Sequence, residues 1–122
     1  MAEYSIFPLH RAFVDAFVAP NVAWMGWLIF LLEAFLAVSL IFGFLTRLGA
    51  ALGFLQALNL YLGLSGLPFE WYWTYLMLVV LHWVFFFTTP GRVLGVDVYL
   101  IQALRPRAEQ GNRLARGLLL LM

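Results

Sequence analysis

The chain has 122 residues, is 65% hydrophobic and 18% aromatic, and carries 11% charged residues, well below the quarter or so of soluble domains. That apolar content exceeds what a soluble core of this size can hide, so a single membrane domain without a separate soluble catalytic domain is expected. The net charge is +1 and all seven basic residues are arginines, most of them after residue 90, a bias that bears on membrane topology and not on nucleic acid. Without cysteine or lysine there is no disulfide, thiolate metal site, thiol nucleophile or Schiff-base amine.

His10, Arg11 and Asp15 interrupt the first twenty residues, so no cleavable signal peptide is expected. Residues 5–19 place Ile6, Leu9, Phe13 and Phe17 at helical spacing among those polar groups. The stretch is short and charged for a span and predicts an interfacial amphipathic helix ended by Pro20 and Asn21. Residues 24–44 form an apolar run with one carboxylate, Glu33, near its midpoint. About twenty apolar residues cross roughly 30 Å of hydrocarbon as a helix. Glu33 must then face other helices, find a donor or stay neutral.

Thr46 and Arg47 read as a very short polar turn before a second apolar run, 48–66. Gly49, Gly53 and Ala57 recur every four residues on one face, small enough to admit another helix closely. Gln56 and Asn59 lie in or beside that sector. The segment from Gly63 to Pro68 breaks the helix and leaves Glu70 near the far membrane surface. A third span is expected over 71–88, with Tyr75, Leu78, Val79, His82 and Phe86 on one face. Thr89, Pro90 and Gly91 stop it, residues 93–104 are too short for a fourth span and read as an interfacial helix, and 105–122 form a basic and then apolar tail. The expected fold is an all-α membrane protein with three transmembrane helices plus N- and C-terminal interfacial helices.

With three spans, Arg47, Arg92, Arg105, Arg107, Arg113 and Arg116 fall on one side and Arg11 alone on the other. The positive-inside bias puts the C-terminus in the cytoplasm and the N-terminus outside. Trp24, Trp27, Trp71, Tyr72, Trp73 and Tyr75 gather at the opposite surface as an aromatic belt.

Glu33, Gln56 and His82 each sit near the centre of a different span, with Asn59 one turn further along the second, and three bundled helices would bring them into one buried polar cluster with Tyr75. Such a cluster either fixes helix register through hydrogen bonds or handles protons at a quinone head group, Glu33 and His82 being the acceptors. One Glu and one His are too few for a non-haem metal site. His82 could ligate a haem or chlorophyll metal axially, but bulky Leu78, Val79 and Phe86 leave little room for a macrocycle, and no metal is expected. At the cytoplasmic face, an Arg92–Asp97 pair is expected to clamp the third helix onto the following segment, with Arg47 anchoring the second.

The order Glu33, Gly43, Thr46, Arg47, followed by Pro90-Gly91-Arg92, Gly95 and Asp97, resembles the DoxX/DoxD family of small bacterial and archaeal membrane proteins, whose members include the small membrane subunit of thiosulfate:quinone oxidoreductase. The resemblance covers about residues 24–100. Members usually carry four membrane helices, so the resemblance implies that this chain lacks the family's first helix, with residues 5–19 standing where the link to it would be. It also implies a bacterial or archaeal cytoplasmic membrane and an association with quinone-linked electron transfer. The expected role is a small accessory or assembly subunit packing against partner subunits, lipids and quinones, the alternative being direct quinol/quinone redox chemistry with Glu33 and His82.

Overall fold

The computed structural model describes Ser5, residues 7–69, Trp71 and residues 73–122, and among these residues it is helical without strands. The expectations placed on Ile6, Glu70 and Tyr72 lie outside the described residues. Helix α1 is Pro8–Phe13, α2 Val22–Phe42, α3 Thr46–Leu64, α4 Trp73–Thr88, α5 Gly91–Leu94, α6 Asp97–Glu109 and α7 Arg113–Leu121.

The expected stop at Pro20 and Asn21 does not occur. Helical structure runs without interruption over Pro8–Phe42, 35 residues, and this is a helix long and apolar enough to cross a membrane. Proline lacks an N–H and crowds the carbonyl four residues back. The backbone absorbs this by changing register, through a π-helical turn at Val14–Val18 and a 3-10 turn at Ala19–Asn21. Asn21 supplies part of what is lost: its side-chain amide donates to Phe17 O at 2.8 Å, and its oxygen accepts from Trp24 Nε1 at 3.0 Å.

The turn between α2 and α3 also differs from expectation. Thr46 and Arg47 are the first residues of α3, not the connection, which is Gly43, Phe44 and Leu45. Gly43 has φ +64°, and its N–H returns to Ser39 O, the left-handed helix ending for which glycine is suited. Leu45, at φ +48°, is left-handed without glycine's freedom, so its surroundings must hold it there.

Helix α3 lies between α2 and α4, which barely meet each other. The half-buried positions of α4 include Tyr75, Leu78, Val79, His82 and Phe86, the face that the spacing groups together. The interfacial helix expected over 93–104 is instead the single turn α5, a break at Gly95, and α6, which continues through Pro106 into the expected tail. Pro106 is accommodated because the carbonyl left without a donor belongs to exposed Gln102. Gly111 (φ +93°) then turns the chain, and Asn112 caps α7 by accepting from Leu114 N and Ala115 N. Helix α7 folds back on α6 and touches α3, burying Ala115 and Met122.

Among the described residues the interior is built mostly of small side chains, with Val14, Asp97 and Met122 the larger buried ones. Ser39, Thr46, Gly49, Ala50, Gly53, Ala57, Gly91 and Asp97 are buried, whereas Trp27, Phe30, Leu31, Ile41, Leu55, Trp71, Met77 and Phe87 are exposed. The chain presents 8295 Å² of surface for 13.9 kDa, against about 6,700 Å² for a compact soluble monomer of that mass.

Candidate functional site

Among the described residues, a dense polar structure forms where α2 ends, α3 begins and α6 begins. A helix end leaves carbonyls unpaired and a helix start leaves N–H groups unpaired. Residues 96 and 97 serve both. Val96 N donates to Phe42 O and Asp97 N to Gly43 O, each at 2.9 Å, satisfying the end of α2. The Asp97 side chain satisfies the start of α3: Oδ1 accepts from Leu45 N at 2.7 Å, and Oδ2 accepts from Thr46 N at 2.9 Å and from Thr46 Oγ1 at 2.8 Å. The acid is 0% exposed, and its three donors explain why it can be. It also fixes the left-handed Leu45 by holding that residue's N–H.

Three glycines make this approach possible. A Cβ on Gly95 would lie 2.6 Å from Gly43 Cα and 2.8 Å from Gly91 Cα, and one on Gly91 would overlap Thr46 Oγ1 and sit 2.8 Å from Asp97 Oδ2. The two short motifs of the sequence thus meet as one interlocked corner. The expected Arg92–Asp97 pair is absent. Asp97 is taken up by backbone and hydroxyl donors, and Arg92 Nη2 donates instead to Leu119 O at 3.3 Å, tying the end of α7 to α5.

The expected cluster of Glu33, Gln56 and His82 does not form. Glu33 is exposed on α2 and makes no hydrogen bond or ion pair among the described residues. Because α2 and α4 flank α3 instead of closing a triangle with it, their mid-helix polar groups do not meet: His82 packs against α3, while Glu33 faces outward. The small-residue stripe of α3 explains the arrangement. Gly49 receives Ser39 of α2, and Gly53 receives the His82 ring of α4, so closely in both cases that a Cβ would overlap the incoming side chain. One stripe seats two neighbours, and Ala57 is buried beyond them. His82 Nδ1 donates to Leu78 O at 2.7 Å, a bond within its own helix.

Asn59 is also engaged elsewhere. Its Oδ1 accepts from His10 Nε2 at 3.0 Å, and Ser5 Oγ donates to Leu62 O at 2.9 Å. These contacts pin the start of the long N-terminal helix across the far end of α3. His10 Nδ1 is buried without a partner among the described residues. Gln56 is half-buried and makes no side-chain hydrogen bond among them, and Tyr75 is half-buried on the face of α4 toward α3. Arg47 places its guanidinium 4.9 Å from the centroid of the Phe86 ring, a cation–π contact.

Chemically, this arrangement offers a built structural corner and two packed imidazoles, with no convergent acid and base among the described residues. No group of three or more His, Asp or Glu able to hold a metal occurs among the described residues. The role of Asp97 as a cap for a helix about fifty residues earlier was not foreseen. The one signal for it was an acid preceded by two glycines in a turn, with a Gly-x-x-Thr sequence at the other helix end. Compared with known proteins, the chain matches no family model, no curated protein and no solved structure.

Proposed function

We propose that the protein is a three-span membrane protein, α2, α3 and α4 crossing the bilayer, that serves as a small accessory or assembly subunit of a larger membrane complex. The observation that carries this reading is the distribution of side chains: mostly small residues inside, with a few polar groups, and many large apolar groups outside. In water that surface would drive aggregation. In a bilayer it is the expected exterior, with helices joined through small residues. The positive-inside bias orients the C-terminus to the cytoplasm. The electron-transfer and quinone association, and a bacterial or archaeal cytoplasmic membrane, rest on the resemblance to the DoxX/DoxD family.

Glu33 supports a partner-bound state. An exposed carboxylate in the middle of an apolar helix costs several kcal/mol facing lipid, and a neighbouring subunit presenting a hydrogen-bond donor removes that cost. The competing reading, direct proton transfer to a quinone by Glu33 and His82, requires both groups at one head group, whereas Glu33 is exposed on α2 and the His82 ring is seated against Gly53 of α3.

The test is purification of the full chain in mild detergent, with and without Glu33→Leu, Glu33→Gln and His82→Phe. The expected result is a native complex that Glu33→Leu disrupts while the chain itself stays folded. A partner-free wild-type chain overturns the accessory-subunit reading. Normal assembly of Glu33→Gln and His82→Phe with lost quinone turnover would favour direct chemistry. A reporter fused after Met122 and active only on the outer side would overturn the topology.

A further inference from the structure

Between α3 and α4 runs an open groove of about 230 Å³, lined by Ala51, Phe54, Leu55, Trp83 and Phe86, all of them apolar. Its geometry follows from helix periodicity. Arg47, Ala51 and Phe54 lie at i, i+4 and i+7 on α3, hence on one face, and Phe86 and Trp83 are one turn apart on α4. Arg47 stands over Phe86, and Phe54 meets Trp83 with ring centroids 5.1 Å apart, so the two helices are in register along the groove. The groove therefore has a cation at one end and only hydrocarbon below it.

Arg47 has no carboxylate partner among the described residues. Asp97, bonded to the residue next to it, is taken up by Leu45 and Thr46. The same end of the molecule carries Arg92, Arg105, Arg107, Arg113 and Arg116, all exposed, and in those elements the one exposed acid is Glu109. A permanent cation above an apolar trough, within a basic surface, is complementary to an amphiphile with an anionic head and an apolar chain. An uncharged quinone head would leave the guanidinium unmatched.

We propose that this groove is a binding site for an anionic phospholipid, with the phosphate on the Arg47 guanidinium and an acyl chain along Ala51, Phe54 and Trp83. The site rests on the membrane-spanning reading and adds to it a defined lipid in the leaflet next to the arginine-rich end. Arg47 recognises the head, and Phe86 holds the guanidinium at the mouth of the groove through the cation–π contact.

The experiment reconstitutes the full chain in bilayers of phosphatidylcholine with a minority of phosphatidylglycerol, re-extracts it gently and measures the retained lipid by native mass spectrometry. The wild type is expected to retain phosphatidylglycerol in preference to phosphatidylcholine, and Arg47→Gln to reduce that preference about fivefold, the ratio corresponding to the ~1 kcal/mol that a basic residue contributes at an anionic surface. Ala51→Phe, which fills the groove without changing charge, is expected to reduce retention of both lipids. Arg105→Gln makes the same charge change on an exposed residue of α6 and is expected to leave retention unaltered. Equal loss in Arg47→Gln and Arg105→Gln would mean a diffuse basic surface and overturn the site, as would unchanged retention in Arg47→Gln; should Ala51→Phe fail to fold, the two arginine variants decide. A wild-type chain released from membranes by alkaline carbonate would overturn the membrane reading and this proposal together. An integral chain with no preference for phosphatidylglycerol would overturn this proposal alone.

Discussion

Asp97 and Thr46 are joined twice through one oxygen: Asp97 Oδ2 accepts both the backbone N–H and the hydroxyl of Thr46, at 2.9 and 2.8 Å. The pair is buried, and it fixes the start of one helix from the start of another about fifty residues later. Removing the acceptor leaves three donors buried and unpaired, at about 1–3 kcal/mol each where no water can reach them. Asp97→Ala is therefore expected to lower unfolding stability in detergent by about 3 kcal/mol or more. Thr46→Val removes one donor and keeps the shape, and is expected to cost about 1 kcal/mol. Equal effects of the two substitutions in denaturant titrations would contradict the capping account.

The glycines around this corner differ sharply from glycine elsewhere. Gly95→Ala forces a methyl into the backbone of Gly43 and Gly91, and nothing there is a flexible side chain that could move aside. It is expected to destabilise the fold as strongly as Asp97→Ala. Gly26, inside α2, has open space around its Cβ direction, and Gly26→Ala is expected to leave stability unchanged or raise it by roughly 0.5–1 kcal/mol. Thermal unfolding of the two variants side by side checks the contrast.

The seat of His82 on Gly53 predicts a coupling. Gly53→Ala alone is expected to push α3 and α4 apart and lower stability, because its Cβ would occupy the space of the imidazole. With His82→Ala the ring is gone and the same methyl fits. A double-mutant cycle should give an interaction energy within the range of about 0.5–3 kcal/mol found for residues in contact. Additive effects would show that the two residues do not share that space.

The His10–Asn59 bond predicts a different asymmetry. Asn59→Leu leaves His10 Nε2 without its acceptor while Nδ1 is already unpartnered among the described residues. The start of the N-terminal helix should then loosen and its amides exchange faster. Replacing both groups, His10→Phe with Asn59→Leu, removes the unmatched polar atoms together and is expected to restore much of the protection. Hydrogen exchange across residues 7–18 measures the difference, and exchange no faster in Asn59→Leu than in wild type would contradict the pinning role.

Local pattern was enough to read the helical class, an apolar helix long enough to cross a membrane, the small-residue stripe of α3 and the inward face of α4. These depend on periodicity and on the length of apolar runs, which are carried by neighbours in sequence. The uninterrupted helix through Pro20 was not legible, since its continuation depends on a change of hydrogen-bond register and on the side chain of Asn21.

Which polar groups meet was decided by tertiary structure alone. The depth of Glu33, Gln56 and His82 along their helices could be counted from sequence, but depth does not specify rotation or packing order. Because Gly49 and Gly53 seat two different neighbours, α3 became the central helix and Glu33 was left on the outside. The corner of Gly43, Thr46, Gly91, Gly95 and Asp97 shows the same division. Its residue types were visible as two short motifs, whereas the bonds between them exist only because one helix end and two helix starts, each with unpaired backbone groups, are brought together in space.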